Sequence, residues 1–168
     1  MKNNRNARPN NAEKETILTA AGLRRVEEEL EQLRGSRRKE IAERIKMAKE
    51  FGDLSENAEY DDAKNEQAFV EGRILQLEHM VRSARVIDSS AAAGDAVSVG
   101  ATVRLKDLAT GAELRYTIVG SPEADPLLDL ISNESPVGEA LIGRKKGETV
   151  QIRVPAGEIR YKILEIVQ

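Results

Sequence analysis

Two apolar seams of equal length, one on each side of a short break, constrain this chain more than any other feature. After Thr19, which reads as a helix N-cap, apolar side chains fall at Leu23, Val26, Leu30 and Leu33 in alternating steps of three and four. That is the spacing of a coiled-coil seam. The pattern loosens through Arg37, Ile41, Ile45 and Ala48, where repeated steps of four resemble a stutter that straightens the supercoil locally. Beyond the break at Gly52, a second seam runs through Tyr60, Ala63, Gln67, Val70, Ile74, Leu77, Val81 and Ala84 in unbroken alternation. Arms from Leu23 to Phe51 and from Glu56 to Ala84 would each be about 29 residues, or roughly 43 Å of helix. A loop of about four residues spans at most ~14 Å, so the arms must fold back on each other. The spacing predicts a long antiparallel α-helical hairpin over residues 17–88, with its tip at 52–60 far from everything else.

From Val86 onward the texture changes. Residues 89–95 are small and polar and read as a linker, and the runs after them alternate instead of repeating at helical spacing. Strands are expected at 101–105, 113–119, 149–154 and 159–167, separated by Gly, Pro and Asp clusters. A short helix should open at Ser135, with Pro136 in its first position and Gly143 just past its end. The second domain, residues 96–168, is thus a small antiparallel sheet packed on one helix, and the fold class is α+β. Residues 1–16 are polar and asparagine-rich and are expected to form a disordered tail.

Composition narrows the functional classes. Charged residues make up 33% of the chain and aromatics 3%, which favours solvated helices over a thick interior. The net charge of −3 and a pI near 5.4 argue against a general nucleic-acid coater, which would carry a clear basic excess. With no cysteine and a single histidine, His79, neither a disulfide framework nor a thiolate zinc site is possible. No run approaches the ~20 apolar residues of a membrane span, so no membrane partner is expected, and a cytoplasmic location is.

Chemistry concentrates at the tip. Between Glu50 and Glu66 stand seven acidic residues against Lys64 alone, while Arg34, Arg37, Arg38, Lys39, Arg44, Lys46 and Lys49 make a basic band behind them on the first arm. Asp53-Leu54-Ser55-Glu56 matches a capping box, and acids near a helix N-terminus also complement its dipole. A cap needs one acceptor, however, and a carboxylate has two oxygens, so capping and metal binding can coexist. A calcium loop fails: Asp53, Ser55 and Asn57 copy its first positions, but Ala58 and Lys64 replace the required glycine and bidentate glutamate. Magnesium, which takes one or two protein carboxylates and keeps several waters, suits Asp53 and Glu56 better. Alone they would hold it weakly, and another macromolecule would have to complete the shell.

The segment EFGDLSENAEYDDAKNEQAFVEGRILQLEHMVRSARVID resembles the hairpin signature of the GreA family of transcript cleavage factors. GATVRL, YTIVG, ISNESPVGEALIG and AGEIRYKILEI look like that family's C-terminal segments, and the resemblance runs from about Ile17 to the end of the chain. It implies an N-terminal coiled coil followed by a domain similar to FK506-binding proteins. It further implies a factor with no nuclease activity of its own, which enters the secondary channel of RNA polymerase as a monomer. There Asp53 and Glu56 would help hold a second magnesium ion, shared with the polymerase, and an attacking water, so that backtracked RNA is cut near its 3′ end. Ser55, Asn57, Glu59 and Tyr60 match the tip motif as supports of the loop, although Tyr60 equally fits seam packing. Lys49 and Lys64 match a basic patch that meets RNA phosphates, or else sit on a solvated face. Glu134, Ser135 and Pro136 match a loop that docks on the polymerase, or else cap a helix.

Other readings remain beside this one. A fold like that of FK506-binding proteins suggests a prolyl isomerase, but such a pocket needs aromatic walls and the second domain has only Tyr116 and Tyr161. A plain coiled-coil adaptor would not need an acidic tip. The DksA type of channel binder carries a cysteine zinc site that this chain cannot form, whereas an inhibitory relative of GreA would share the same motifs.

Overall fold

The structure of the protein, a computed structural model, describes residues 15–50, 54–87, 95–155 and 157–167, and of residues 54–57 the backbone alone. Strand β1 (Thr16–Thr19) leads into helix α1 (Ala20–Gln32), a π-helical turn at Leu33–Arg37 and helix α2 (Arg38–Glu50). Helix α3 (Leu54–Arg82) returns along them, and strand β2 (Ala84–Ile87) follows. Thr19 has extended backbone angles and its side chain accepts a hydrogen bond from the Gly22 N–H at 3.0 Å, which makes it the N-cap the sequence led us to expect. Val26, Leu30 and Ile41 of the outgoing arm and Ala63, Val70, Ile74 and Leu77 of the returning arm are buried between the helices.

The stutter resolves differently from expectation. Leu30 and Ile41 are eleven positions apart, one more than the roughly ten that a 3-4-3 seam requires. The π-turn, in which Arg38 donates its backbone N–H to the Leu33 carbonyl, absorbs the extra residue and returns Ile41 to the seam. The apolar seam therefore continues past the loosened stretch. Arg37, expected on the seam, is exposed, and Ala84, expected to close the second arm, lies in β2. The first fourteen residues of the expected tail, Asp88 at the end of the expected hairpin and residues 89–94 of the expected linker lie outside the described residues, whereas Thr16 belongs to β1.

Strands β3 (Thr102–Asp107), β4 (Glu113–Val119), β5 (Leu130–Ser132), β6 (Thr149–Val154) and β7 (Gly157–Val167) form one sheet in the order β5-β4-β3-β7-β6. Alternation drives Val103, Leu105, Ile118, Val150, Ile152, Tyr161 and Ile163 into one core beneath α4 (Pro136–Leu141), which contributes Leu141. The sheet is not antiparallel throughout: β5 pairs in parallel with β4, from Thr117↔Leu130 to Val119↔Ser132. At three half-buried residues, β5 is too short to show an alternating pattern.

Strands β1 and β2 also escaped sequence reading. They pair in parallel, from Thr16↔Ala84 to Thr19↔Ile87. Because side chains alternate along a strand, Leu18 is fully buried in the hairpin cluster, while its neighbour Ile17, together with Ile87 of β2, packs against the sheet core. The two cores thus meet across this strand pair.

Seam truncation should be costly and shaft-surface truncation should not. Ile74→Ala, at a site 1% exposed, should lose about 3 kcal/mol of unfolding free energy. Phe69→Ala, at a site 76% exposed, should stay within about 0.5 kcal/mol of the parent. Urea unfolding monitored by circular dichroism measures both, and equal losses would place Phe69 in a core that the structure does not give it.

Candidate functional site

The two arms of the hairpin are joined by a ladder of ion pairs. Arg34 pairs with Glu78, Arg37 with Glu40 and Glu66, Arg38 with Glu71, and Arg44 with Glu66 and, at 3.9 Å, Glu59. Arg73 of α3 makes a forked pair with Glu29 of α1, at 2.7 and 2.8 Å. The basic band expected on the first arm is therefore largely neutralised by glutamates of α3, because facing arms bring the segregated charges together. Hydrogen bonding to Glu40, with the charge of Glu66 adding to it, raises the Arg37 pKa above its ordinary value. Hydrogen bonding from Arg38 lowers that of Glu71, against a smaller opposing effect of burial.

At the far end the sign of the charge changes. Asp61 and Asp62 are exposed and make no ion pair among the described residues. Lys49 lies over the Tyr60 ring, 5.8 Å from its centroid, a cation–π distance. Tyr60 is half-buried. Lys64 is exposed and donates to Gln67 at 2.7 Å. Asp53 lies outside the described residues, as do the side chains of Ser55, Glu56 and Asn57. Helix α3 begins at Leu54, so the backbone of Glu56 lies in its first turn. Among the described residues no group of three or more His, Asp or Glu side chains could hold a metal ion.

In the sheet domain, Ser135 caps α4: its Oγ accepts from the Gly138 N–H at 3.0 Å and donates to the Ser132 carbonyl at 2.7 Å. Pro136 occupies the first helical position and Gly143 follows with φ 79°, as the sequence suggested. The capping reading of Ser135 holds, while Glu134 and Pro136 remain exposed beside it. Ser121 donates to Glu134 at 2.7 Å and so fixes this loop to the end of β4. Tyr161 is buried in the sheet core and Tyr116 packs against that core. No helix among the described residues is long and apolar enough to cross a membrane.

The hairpin is thus a rod whose charges are zipped arm to arm, with an acidic far end and a separate sheet domain at its base. The family profile "Transcription elongation factor, N-terminal" matches residues 16–86, and "Transcription elongation factor, GreA/GreB, C-term" matches residues 92–168. "Transcription elongation factor GreA" of Caldanaerobacter subterraneus subsp. tengcongensis is 58% identical over 153 residues, which is 91% of this chain and 98% of that one. The protein of the same name from Clostridium acetobutylicum is 56% identical, covering 92% and 98%. Among solved structures, GreA factor homolog 1 of Thermus thermophilus is 29% identical with a TM-score of 0.43, covering 92% of this chain and all 100% of that one. The chain belongs to the GreA/GreB family of transcription elongation factors.

The lowered pKa of Glu71 has a sign. Its pairing with Arg38 stabilises the hairpin fully at pH values above the ordinary glutamate pKa, and that stabilisation is lost as pH falls through the lowered folded value. Glu71→Gln should therefore flatten part of the acid limb of a plot of urea midpoint against pH while leaving its shape above the carboxylate range unchanged. An acid limb identical to that of the parent would show that the pair contributes nothing to the linkage.

Proposed function

We propose that this factor acts on RNA polymerase from its secondary channel, stimulating the polymerase's own cleavage of backtracked RNA. The observation that carries the reading is the shape of the hairpin. Helix α3 alone, Leu54–Arg82, is roughly 43 Å long at ~1.5 Å per residue. It carries Glu56 in its first turn, at the far end from the sheet domain. Carboxylates at that end can be delivered deep into a channel while the sheet domain stays outside, with Glu134 and Pro136 exposed for docking on the rim.

The donor set fits magnesium in kind: Asp53 and Glu56 are hard oxygen ligands near one helix start, too few to retain the ion alone. Magnesium held there would supply activation of a water and charge stabilisation at phosphorus. The residues of this chain contribute position and charge. Asp53 and Glu56 place negative oxygens where the ion and its water are needed, and the first turn of α3 favours negative charge near that point. Lys49, held over Tyr60, and Lys64 present cations to the phosphates of the extruded RNA 3′ end. The factor works as a monomer in the cytoplasm and has no nuclease activity of its own.

The decisive experiment adds purified factor to stalled, backtracked elongation complexes with labelled RNA and looks for shortened, extendable transcripts. Asp53→Asn keeps an N-cap of equal quality but replaces a magnesium ligand with a neutral amide. Stimulated cleavage should fall about 100-fold, equivalent to ~2.7 kcal/mol, while polymerase binding persists and the variant competes with the parent. Cleavage at the parental rate with binding intact would leave Asp53 a structural cap.

Charge reversal of the two lysines tests the RNA contact separately. The Lys49→Glu, Lys64→Glu double variant should keep its helicity, since both side chains are exposed, yet need more factor to reach half-maximal cleavage, with a weaker dependence on salt. An unchanged cleavage rate at every factor concentration would reduce both lysines to a solvated face.

A further inference from the structure

Helix α1 begins Thr19-Ala20-Ala21-Gly22. A capping box places glutamate or glutamine at the third helical position, where it reaches back to the N–H of the cap residue. Here that position is glycine, and the missing carboxylate comes from the other domain. Glu123, 104 positions along the chain, accepts the Thr19 backbone N–H through Oε2 at 2.7 Å and the Thr19 hydroxyl through Oε1 at 2.5 Å. Thr19 Oγ1 in turn accepts from Gly22 N–H, so one relay joins the sheet domain to the first turn of the hairpin.

Both surfaces are cut to fit. A Cβ on Gly22 would stand inside the Glu123 carboxyl group, and a Cβ on Gly120 would overlap the Ile17 carbonyl oxygen. A short 3-10 turn, Ser121–Glu123, closed by the Glu123 N–H to the Gly120 carbonyl at 2.9 Å, presents the carboxylate. Ile17 and Leu18 divide between the two cores immediately before it.

We infer that Glu123 is a positioning residue: it completes a capping box across the domain boundary and thereby fixes the direction in which the hairpin points from the sheet domain. Leverage makes this matter. The outgoing arm from Ala20 to Glu50 is roughly 45 Å long, so a tilt of about 10° at its base moves the far end by about 8 Å, well beyond the ~3–3.5 Å placement that reacting groups require. The carboxylate also faces the positive end of the α1 dipole, which gives the contact one preferred geometry. The consequence for cleavage rests on the tip reading above, but the orientation itself can be measured without polymerase.

The chain has no cysteine, so Met47→Cys and Thr110→Cys, both at exposed positions, admit one spin label on each domain of the full-length protein. Pulsed dipolar spectroscopy then reads the distance between them. The parent should give one narrow distribution. Gly22→Ala displaces the Glu123 carboxylate yet favours helix in α1, and it should broaden the distribution at least two-fold. The pair Glu123→Ala, Gly22→Glu restores a local capping box without joining the domains. It should recover helicity and thermal stability but keep the broad distribution, with cleavage at saturating factor about 10-fold down and half-saturation little changed. Asp53→Asn should lose cleavage with the distribution still narrow, which separates failure of the tip reading from failure of this one. A narrow, unshifted distribution in Gly22→Ala, or full cleavage by the pair with the local box, would overturn the assignment and leave Glu123 an ordinary cap.

Discussion

A rod made of two helices has one apolar seam and no second layer. Each helix can bury only the stripe that faces its partner, here Val26, Leu30 and Ile41 against Val70, Ile74 and Leu77. Helical propensity contributes little more, since most helical stability in proteins comes from packing. The base of such a rod must be closed by something else. Strand β1 does this with consecutive residues, because period-two alternation sends Leu18 into the hairpin cluster and Ile17 towards the sheet core. The thin seam is thereby continuous with a thicker core, and the rod has a defined foot.

Charge does the rest of the work along the shaft. Exposed ion pairs are individually weak, and none of the cross-arm pairs is deeply buried. Their placement is what counts. The planar heads of arginines match carboxylates in one register better than in others. A slip of one turn between the arms would break several pairs at once. The same zipper neutralises much of the arginine charge of the shaft, while Asp61 and Asp62 near the far end make no ion pair among the described residues.

The hairpin, its seam residues and the cap at Thr19 were legible because each depends on local spacing. Ser135, Pro136 and Gly143 were legible for the same reason: helix ends have short-range chemistry. What sequence reasoning missed is long-range. The neutralisation of Arg34, Arg38 and Arg44 depends on which glutamates of α3 face them, and β1, β2 and β5 are too short for period-two alternation to register. Glu123 could not be assigned to Thr19 from spacing, although Gly22 held a clue: a cap followed by glycine where a box glutamate belongs leaves an acceptor to be found elsewhere. The loosened spacing at Arg37 to Ala48 marks where the seam slips out of phase, but spacing alone does not say that one wide turn at Leu33–Arg37 absorbs the extra residue.

On the proposed reading, the weakness of the tip as a metal site is what makes the protein safe to have. A hairpin that carried a complete magnesium shell would present an activated water to any phosphodiester it met. Two carboxylates cannot do so, because magnesium gives up its waters reluctantly and needs further oxygens in octahedral array. Activity is then conditional on a second macromolecule that supplies the missing ligands and the scissile bond together. Conditionality of this kind moves the demand from chemistry to placement: the carboxylates need a rigid path from a docked domain to a distant point. A seam kept in phase by a π-turn, arms held in register by cross-arm arginines and a foot joined to the sheet domain through Glu123 are three parts of that path, and slack in any one of them would be magnified by the length of the rod.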